Sequence, residues 1–176
     1  YILPSNSRQR DSLKLMNFAV PRLYGQVKLH KLGFPIRPVV AYYTHPSFRL
    51  AKYLAQWFRD TADFKPKYTV LNSSTLARDL KTRTFPTGSR LLSFDAKNMY
   101  TNIPVLQSIE LMCGHLQRKL VHPDTIAEFK SLITICLRDN VCAFGGKIYK
   151  FHDGLPMGGP LSSLVADIFL DNLETQ

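Results

Sequence analysis

The stretch SFDAKNMYTNIP, residues 93–104, sets one carboxylate, Asp95, at the end of an apolar run and a tyrosine, Tyr100, five residues further on. The run before it, RLLSF at 90–94, is short and apolar enough for a buried β-strand, and Asp95 ends it. From there two readings stay open. An Asp at a strand end is frequently a turn former or a helix cap. It is also the kind of oxygen donor that a hard divalent cation takes and shares with phosphate groups, although such chemistry normally needs a second carboxylate.

Charge favours phosphates. Lys plus Arg outnumber Asp plus Glu by 23 to 13, and the +10 surplus attracts polyanions more than small neutral substrates. Nucleic acid is the leading partner class, with a merely soluble basic surface as the alternative. Charge alone does not separate an enzyme from a binder. At 176 residues and 45% hydrophobic content the chain suits one domain, or one domain cut short, and is too apolar for disorder. Cys113, Cys136 and Cys142 are odd in number and lack C-x-x-C spacing, which argues against a disulfide framework or a zinc site and suits a reducing compartment. No run approaches the roughly 18 apolar residues of a membrane span, and no signal peptide opens the chain, so no membrane partner is expected. The sequence begins at Tyr1 and ends at Gln176 just after a patterned helix, which reads as a piece of something longer.

Working outward, residues 1–20 are polar and read as loose. YGQVKLHKLGFPIRPVVAYY, 24–43, holds two β-rich pieces around Gly33 and predicts an irregular hairpin with a basic polar side. From Pro46, Leu50, Leu54, Trp57 and Phe58 fall at helical spacing, with Arg49, Lys52 and Arg59 off the centre of the stripe. A shorter helix follows a Ser cap at 73 or 74. Helices opening at Pro104 and Pro123 carry Ile109, Met112, Leu116 and Leu120, then Ile126, Phe129, Ile133 and Leu137. VCAFGGKIYKF predicts a tight hairpin around Gly145 and Gly146. DGLPMGGP breaks regular structure, and LSSLVADIFLDNLE resumes as a helix. The order predicts an α+β fold, helices packed on one face of an antiparallel sheet.

Three local patterns bear on Asp95. Lys31 and Arg37 flank Gly33, where a basic ribbon could close over a triphosphate through charge-assisted hydrogen bonds; singly, each reads equally as a solvated surface charge. In GLPMGGP, Gly154, Gly158 and Gly159 let backbone approach a flat base or a ribose closely, and a plain loop is the alternative. Tyr100 could set its ring against a nucleotide sugar, or simply plug the core.

Together PRLYGQVKLHKLGFPIRPVV, SFDAKNMYTNIP, GGKIYKFHDG and GLPMGGPLSSLVADIFLDNLE, in that order, resemble the reverse transcriptase domain, most closely that of Penelope-like retroelements. The resemblance covers about 150 residues from near Pro21. It implies a right-hand polymerase fold: a fingers-like region with a basic hairpin over 21–92 and a partial palm over 93–176. It also implies an RNA-directed DNA polymerase, a metal-dependent nucleotidyltransferase working with an RNA template, a DNA primer, dNTPs and Mg²⁺ or Mn²⁺, in the nucleus or cytoplasm. Asp95 matches the first metal-binding aspartate, with the Ala96 carbonyl as a further ligand. Lys31 and Arg37 match the basic pair that holds the triphosphate, and the backbone from Lys97 to Tyr100 lies near its phosphates. Tyr100 matches the steric gate against a ribose 2′-hydroxyl. Leu155, Pro156, Met157 and Gly158 match the loop bordering the incoming nucleotide and template base, with Leu155, Pro156 and Gly159 toward template and primer.

The sequence departs from the pattern in places. Met157 stands where retroviral relatives carry Gln, which is usual in the Penelope-like group. Gly159 replaces an expected Ser, a change expected to alter local hydrogen bonding. The Tyr-x-Asp-Asp turn with the remaining metal-linked carboxylates is absent from the 176 residues. Asp167 and Asp171 share a helix face but are expected to be surface or supporting residues, and Asp153 structural. The segment is therefore expected to be inactive alone. The alternative is a degenerate or domesticated remnant that only binds nucleic acid.

Overall fold

The computed structural model describes residues 1–138 and 140–176. In chain order the described residues form α1 (Ser7–Ser12), β1 (Leu23–Val27), β2 (Ile36–Val40), a 3-10 turn (Tyr42–Thr44), α2 (Phe48–Ala62), α3 (Ser73–Lys81), α4 (Met99–Asn102), α5 (Val105–Arg118), α6 (Pro123–Arg138), β3 (Val141–Phe144), β4 (Lys147–Lys150) and α7 (Ser162–Glu174). The class is α+β, as the order of elements predicts.

Helical periodicity builds the core. On α2 the residues at helical spacing, Ala51, Leu54, Ala55, Phe58 and Ala62, are buried. Ile109, Met112 and Leu116 of α5, Ile126, Phe129 and Ile133 of α6, and Leu164, Val165 and Ile168 of α7 complete the same cluster. Helix α5 lies against α6 and α7, while α2 packs on α5 and α6. Phe129 is fully buried, its ring stacked with those of Phe58 and Trp57 at centroid distances of 5.6 and 5.4 Å. The N-terminal residues join this core: Ile2 is buried, its N–H donates to the Glu128 carboxylate at 2.9 Å, and Tyr53 Oη donates to its carbonyl.

The sheet differs from expectation. In place of one antiparallel sheet under the helices there are two separate two-stranded ribbons, β1–β2 and β3–β4, each antiparallel. They touch through an isolated bridge between Arg22 and Ala143. RLLSF forms no strand either. Residues 91–96 carry no regular structure, and Leu91, Leu92 and Phe94 are 90%, 72% and 91% exposed. A strand is a non-local object whose N–H and C=O groups need a neighbour, and among the described residues nothing pairs with this segment. The α3 cap is Asn72, whose Oδ1 accepts the Thr75 N–H at 2.9 Å, and not Ser73 or Ser74. Both residue types cap well, so spacing alone left the boundary open by a residue.

A buried polar network ties the 3-10 turn after β2 to the end of α6. Tyr42 Oη donates to Asn140 Oδ1 at 2.8 Å and lies 3.3 Å from Ser47 Oγ, which is 2.7 Å from His45 Nδ1; the Tyr42 and His45 rings stack. Burial pushes the Tyr42 phenol up to about 12, against the opposing hydrogen bond with Ser47, and burial likewise pushes the Cys136 thiol up to about 12.

Two outcomes follow from this packing. Phe58→Ala leaves a cavity against Phe129 and lowers the unfolding free energy by about 3–5 kcal/mol, measured by urea denaturation. The raised folded-state values mean that, above pH 9, the unfolded chain releases protons that the folded chain keeps. The contribution of Tyr42 and Cys136 is therefore complete below about pH 9 and is lost as pH rises toward about 12. In Tyr42→Phe the decline above pH 10 becomes shallower, while stability at pH 7 drops by about 1–3 kcal/mol because Asn140 loses its donor.

Candidate functional site

The GLPMGGP loop, residues 154–160, is where separate parts of the chain meet. Its glycines are required by space. Gly154 has φ +80°, and a Cβ there would lie 2.5 Å from the Thr101 carbonyl oxygen; Gly158 has φ +108°, and a Cβ would lie 2.5 Å from the Val40 carbonyl oxygen. Two backbone hydrogen bonds run beside these contacts. The Leu155 N–H donates to the Tyr100 carbonyl at 2.7 Å, and the Val40 N–H donates to the Met157 carbonyl at 2.9 Å. The loop thus joins β2, which carries Arg37, to α4, which carries Tyr100.

Within the loop, Leu155 and Pro156 are buried, Met157 and Gly159 are half-buried, and Gly158 is exposed. The edge at Met157 and Gly158 is therefore the part that faces solvent. Gly159 shows what its expected Ser would meet: a Cβ there would sit 2.7 Å from Ser162 Oγ. That hydroxyl donates to the Pro156 carbonyl at 2.7 Å, so Ser162 supplies the loop's side-chain hydrogen bond. Asp153 is structural, as its place beside a turn glycine suggests. Its Oδ1 accepts the N–H groups of Gly154 at 2.9 Å and of Val105, at the start of α5, at 3.0 Å.

The hairpin bearing the basic pair is an arm. Val40, at its base, is buried, and exposure grows toward Ile36 and the connecting turn. Lys31 sits in that turn, which is closed by hydrogen bonds from the Lys31 N–H to the Lys28 carbonyl and from the Phe34 N–H to the Lys31 carbonyl, both 3.1 Å. Arg37 lies opposite Gln26. Both cations are exposed.

Asp95 is exposed and makes no hydrogen bond or ion pair among the described residues. It caps no helix: the residue before α4 is Asn98, at φ +53°, with no side-chain cap. Ala96 and Lys97 are exposed as well, whereas Tyr100 is half-buried against the helical core. Asp171 Oδ1 accepts the Lys67 N–H at 2.6 Å. Asp167 is exposed; partial desolvation raises its carboxyl, and Arg59 opposes that shift. No group of three or more His, Cys, Asp or Glu side chains is arranged to hold a metal ion among the described residues. No hydrogen bond or ion pair joins Lys31, Arg37 and Asp95 to one another.

Sequence reasoning did not single out Val40, Thr101 or Ser162, which hold the loop. The paired glycines signal close approach; Thr101 and Val40, the partners of Gly154 and Gly158, lie about 50 and 120 residues away and leave no local signal, whereas Ser162 is only a few residues beyond the loop. No protein-family model matches the chain, and no curated protein matches it.

The steric requirement is open to measurement. Gly154→Ala and Gly158→Ala each lower the unfolding free energy by about 2 kcal/mol or more, because a positive φ and a blocking carbonyl act together. Gly146→Ala, also at positive φ but with nothing within 4 Å of the added methyl, loses only about 1 kcal/mol by the same thermal or urea assay.

Proposed function

We propose that the chain is part of an RNA-directed DNA polymerase of the Penelope-like kind, acting on an RNA template, a DNA primer and dNTPs. One observation carries the reading: the 154–160 loop joins the arm bearing Lys31 and Arg37 to the turn bearing Tyr100. Three of the four resembling blocks thereby become neighbours in space. In this reading Lys31 and Arg37 neutralise and position the triphosphate. Tyr100 limits the room beside the sugar, and Met157 and Gly158 border the nucleotide. Leu155 and Pro156 act through the backbone path they fix, since their side chains are buried.

Asp95 and the Ala96 carbonyl are oxygen donors of the type that Mg²⁺ or Mn²⁺ accepts. Two bound metal ions would supply charge stabilisation for an in-line displacement at phosphorus. Asp95 alone is short of that donor set, and the reading takes the remaining carboxylates from a Tyr-x-Asp-Asp turn that the 176 residues do not contain. A second reading, a nucleic-acid-binding remnant without catalysis, is favoured by the +10 charge together with the exposed aromatics Tyr24, Tyr43 and Phe144. Residence in the nucleus or cytoplasm belongs to the first reading; no helix among the described residues is long and apolar enough to cross a membrane.

Primer extension on an RNA template separates the two. The 176-residue segment does not extend a primer, and an open reading frame that supplies the Tyr-x-Asp-Asp turn does. Asp95→Ala in that longer protein abolishes extension, and Tyr100→Ala raises ribonucleotide incorporation relative to deoxynucleotide. Robust extension by the Asp95→Ala protein removes the polymerase assignment.

A further inference from the structure

Helix α2 buries one face and presents cations on another. Arg49, Lys52, Gln56 and Arg59 follow the spacing i, i+3, i+7, i+10, which places them in one row about 15 Å long. With Phe48 of the same helix they line a groove of about 680 Å³ whose other wall includes Gly158 and Pro160. Arg49 also steadies the end of α1, donating to the Ser12 and Lys14 carbonyls. Lys52 and Arg59 are exposed and in no ion pair within 4 Å among the described residues, although Asp167 lies near enough to Arg59 to feel its charge.

A second groove, of about 880 Å³, runs between the two hairpins and is lined by Arg22, Tyr24, Tyr43, Phe144 and again Phe48 and Gly158. Tyr24, Tyr43 and Phe144 are largely exposed aromatics. Phe48 and Gly158 line both grooves, so the cationic row and the aromatic walls are continuous across the solvent-facing edge of the glycine loop.

We infer that this continuous channel is a binding track for an unpaired nucleic-acid strand, its phosphates along Lys52 and Arg59 and its bases stacked on Tyr43 and Phe144. Cations in a row neutralise successive phosphates, and aromatic rings accept the flat faces that only unpaired bases expose. Duplex is disfavoured, since its base faces are already stacked. The inference deepens the proposed function and rests on it for the choice of a nucleic-acid partner, but it concerns binding and needs neither metal nor dNTP.

Fluorescence anisotropy with a labelled mixed-sequence 12-nucleotide RNA, in EDTA and without dNTP, tests it on the 176-residue chain, with circular dichroism confirming that each variant is folded. The parent binds the single strand more tightly than the matching duplex. Lys52→Ala/Arg59→Ala lowers affinity at least about tenfold at 50 mM salt and flattens the slope of log affinity against log salt by about 1.4. Tyr43→Ala lowers affinity at least about fivefold with the slope unchanged, and Tyr43→Phe restores it. Arg118→Ala, on the far end of α5, binds as the parent does. Equal binding by the Lys52/Arg59 or Tyr43→Ala variants, tighter binding of duplex, or an equal loss in Arg118→Ala overturns the track. Failed extension in the longer protein with these binding results intact removes only the polymerase reading; failed binding beside intact extension removes only the track.

Discussion

The hydrogen bonds from Leu155 N–H to the Tyr100 carbonyl and from Val40 N–H to the Met157 carbonyl hold three remote parts of this chain in one place. Each is worth only about 1 kcal/mol net, so neither could close such long loops unaided. Burial does more. Leu155 has no exposed surface and sits in the helical core with Leu161 and Leu164, and burying a leucine fully contributes about 1.5–3 kcal/mol. The leucine anchors the loop from below, and the hydrogen bonds set where its upper edge lies. Because Gly154 and Gly158 each face a carbonyl where a Cβ would go, the clamp tolerates little displacement on either side.

This clamp also explains how two small ribbons replace a sheet. The first hairpin is held at its base, through Val40, Tyr42 and the loop, and extends into solvent beyond it. The second is held near Val141 and Cys142, where the Ala143 N–H donates to the Pro21 carbonyl and the Phe151 N–H donates to the Asn140 carbonyl. Neither ribbon covers the core. Helices cover one another, with Phe129 fully buried among them, and the ribbons meet in a separate small cluster of Val40, Tyr42 and Cys142.

Helices were legible because their information is local: Leu54 and Phe58, or Phe129 and Ile133, sit three or four residues apart and declare the buried face directly. The β3–β4 turn was legible for the same reason, since Gly145 and Gly146 both adopt positive φ, the conformation a two-residue hairpin demands. RLLSF was misleading because composition reports strand competence, while strand formation depends on a neighbour elsewhere in the chain. The site was legible only in part. Order and wording of the glycine and basic blocks singled out the loop and the arm that hydrogen bonds join in the structure, yet the burial of Leu155 and Pro156 depends on packing that no local pattern encodes. Arg49, Lys52 and Arg59 were visible as off-stripe charges; what made them a row beside the loop was the position of Gly158 and Pro160 across from α2.

The distribution of charge bears on why such a chain is basic. Among the described residues, ion pairs occupy Lys14, Lys65, Lys119 and Lys130, all on partly or fully exposed surface where such pairs add little stability. Lys31 and Arg37 on the arm, and Lys52 and Arg59 on α2, stand outside that set. Like charges left unpaired repel one another and weaken the compact state, so they are a cost to folding. Here they lie on elements that converge on one glycine loop: the arm through Val40, and α2 through the groove that Gly158 and Pro160 complete. In the proposed reading, a field concentrated in this way draws a polyanion to the loop and not merely to the protein, most strongly at low ionic strength.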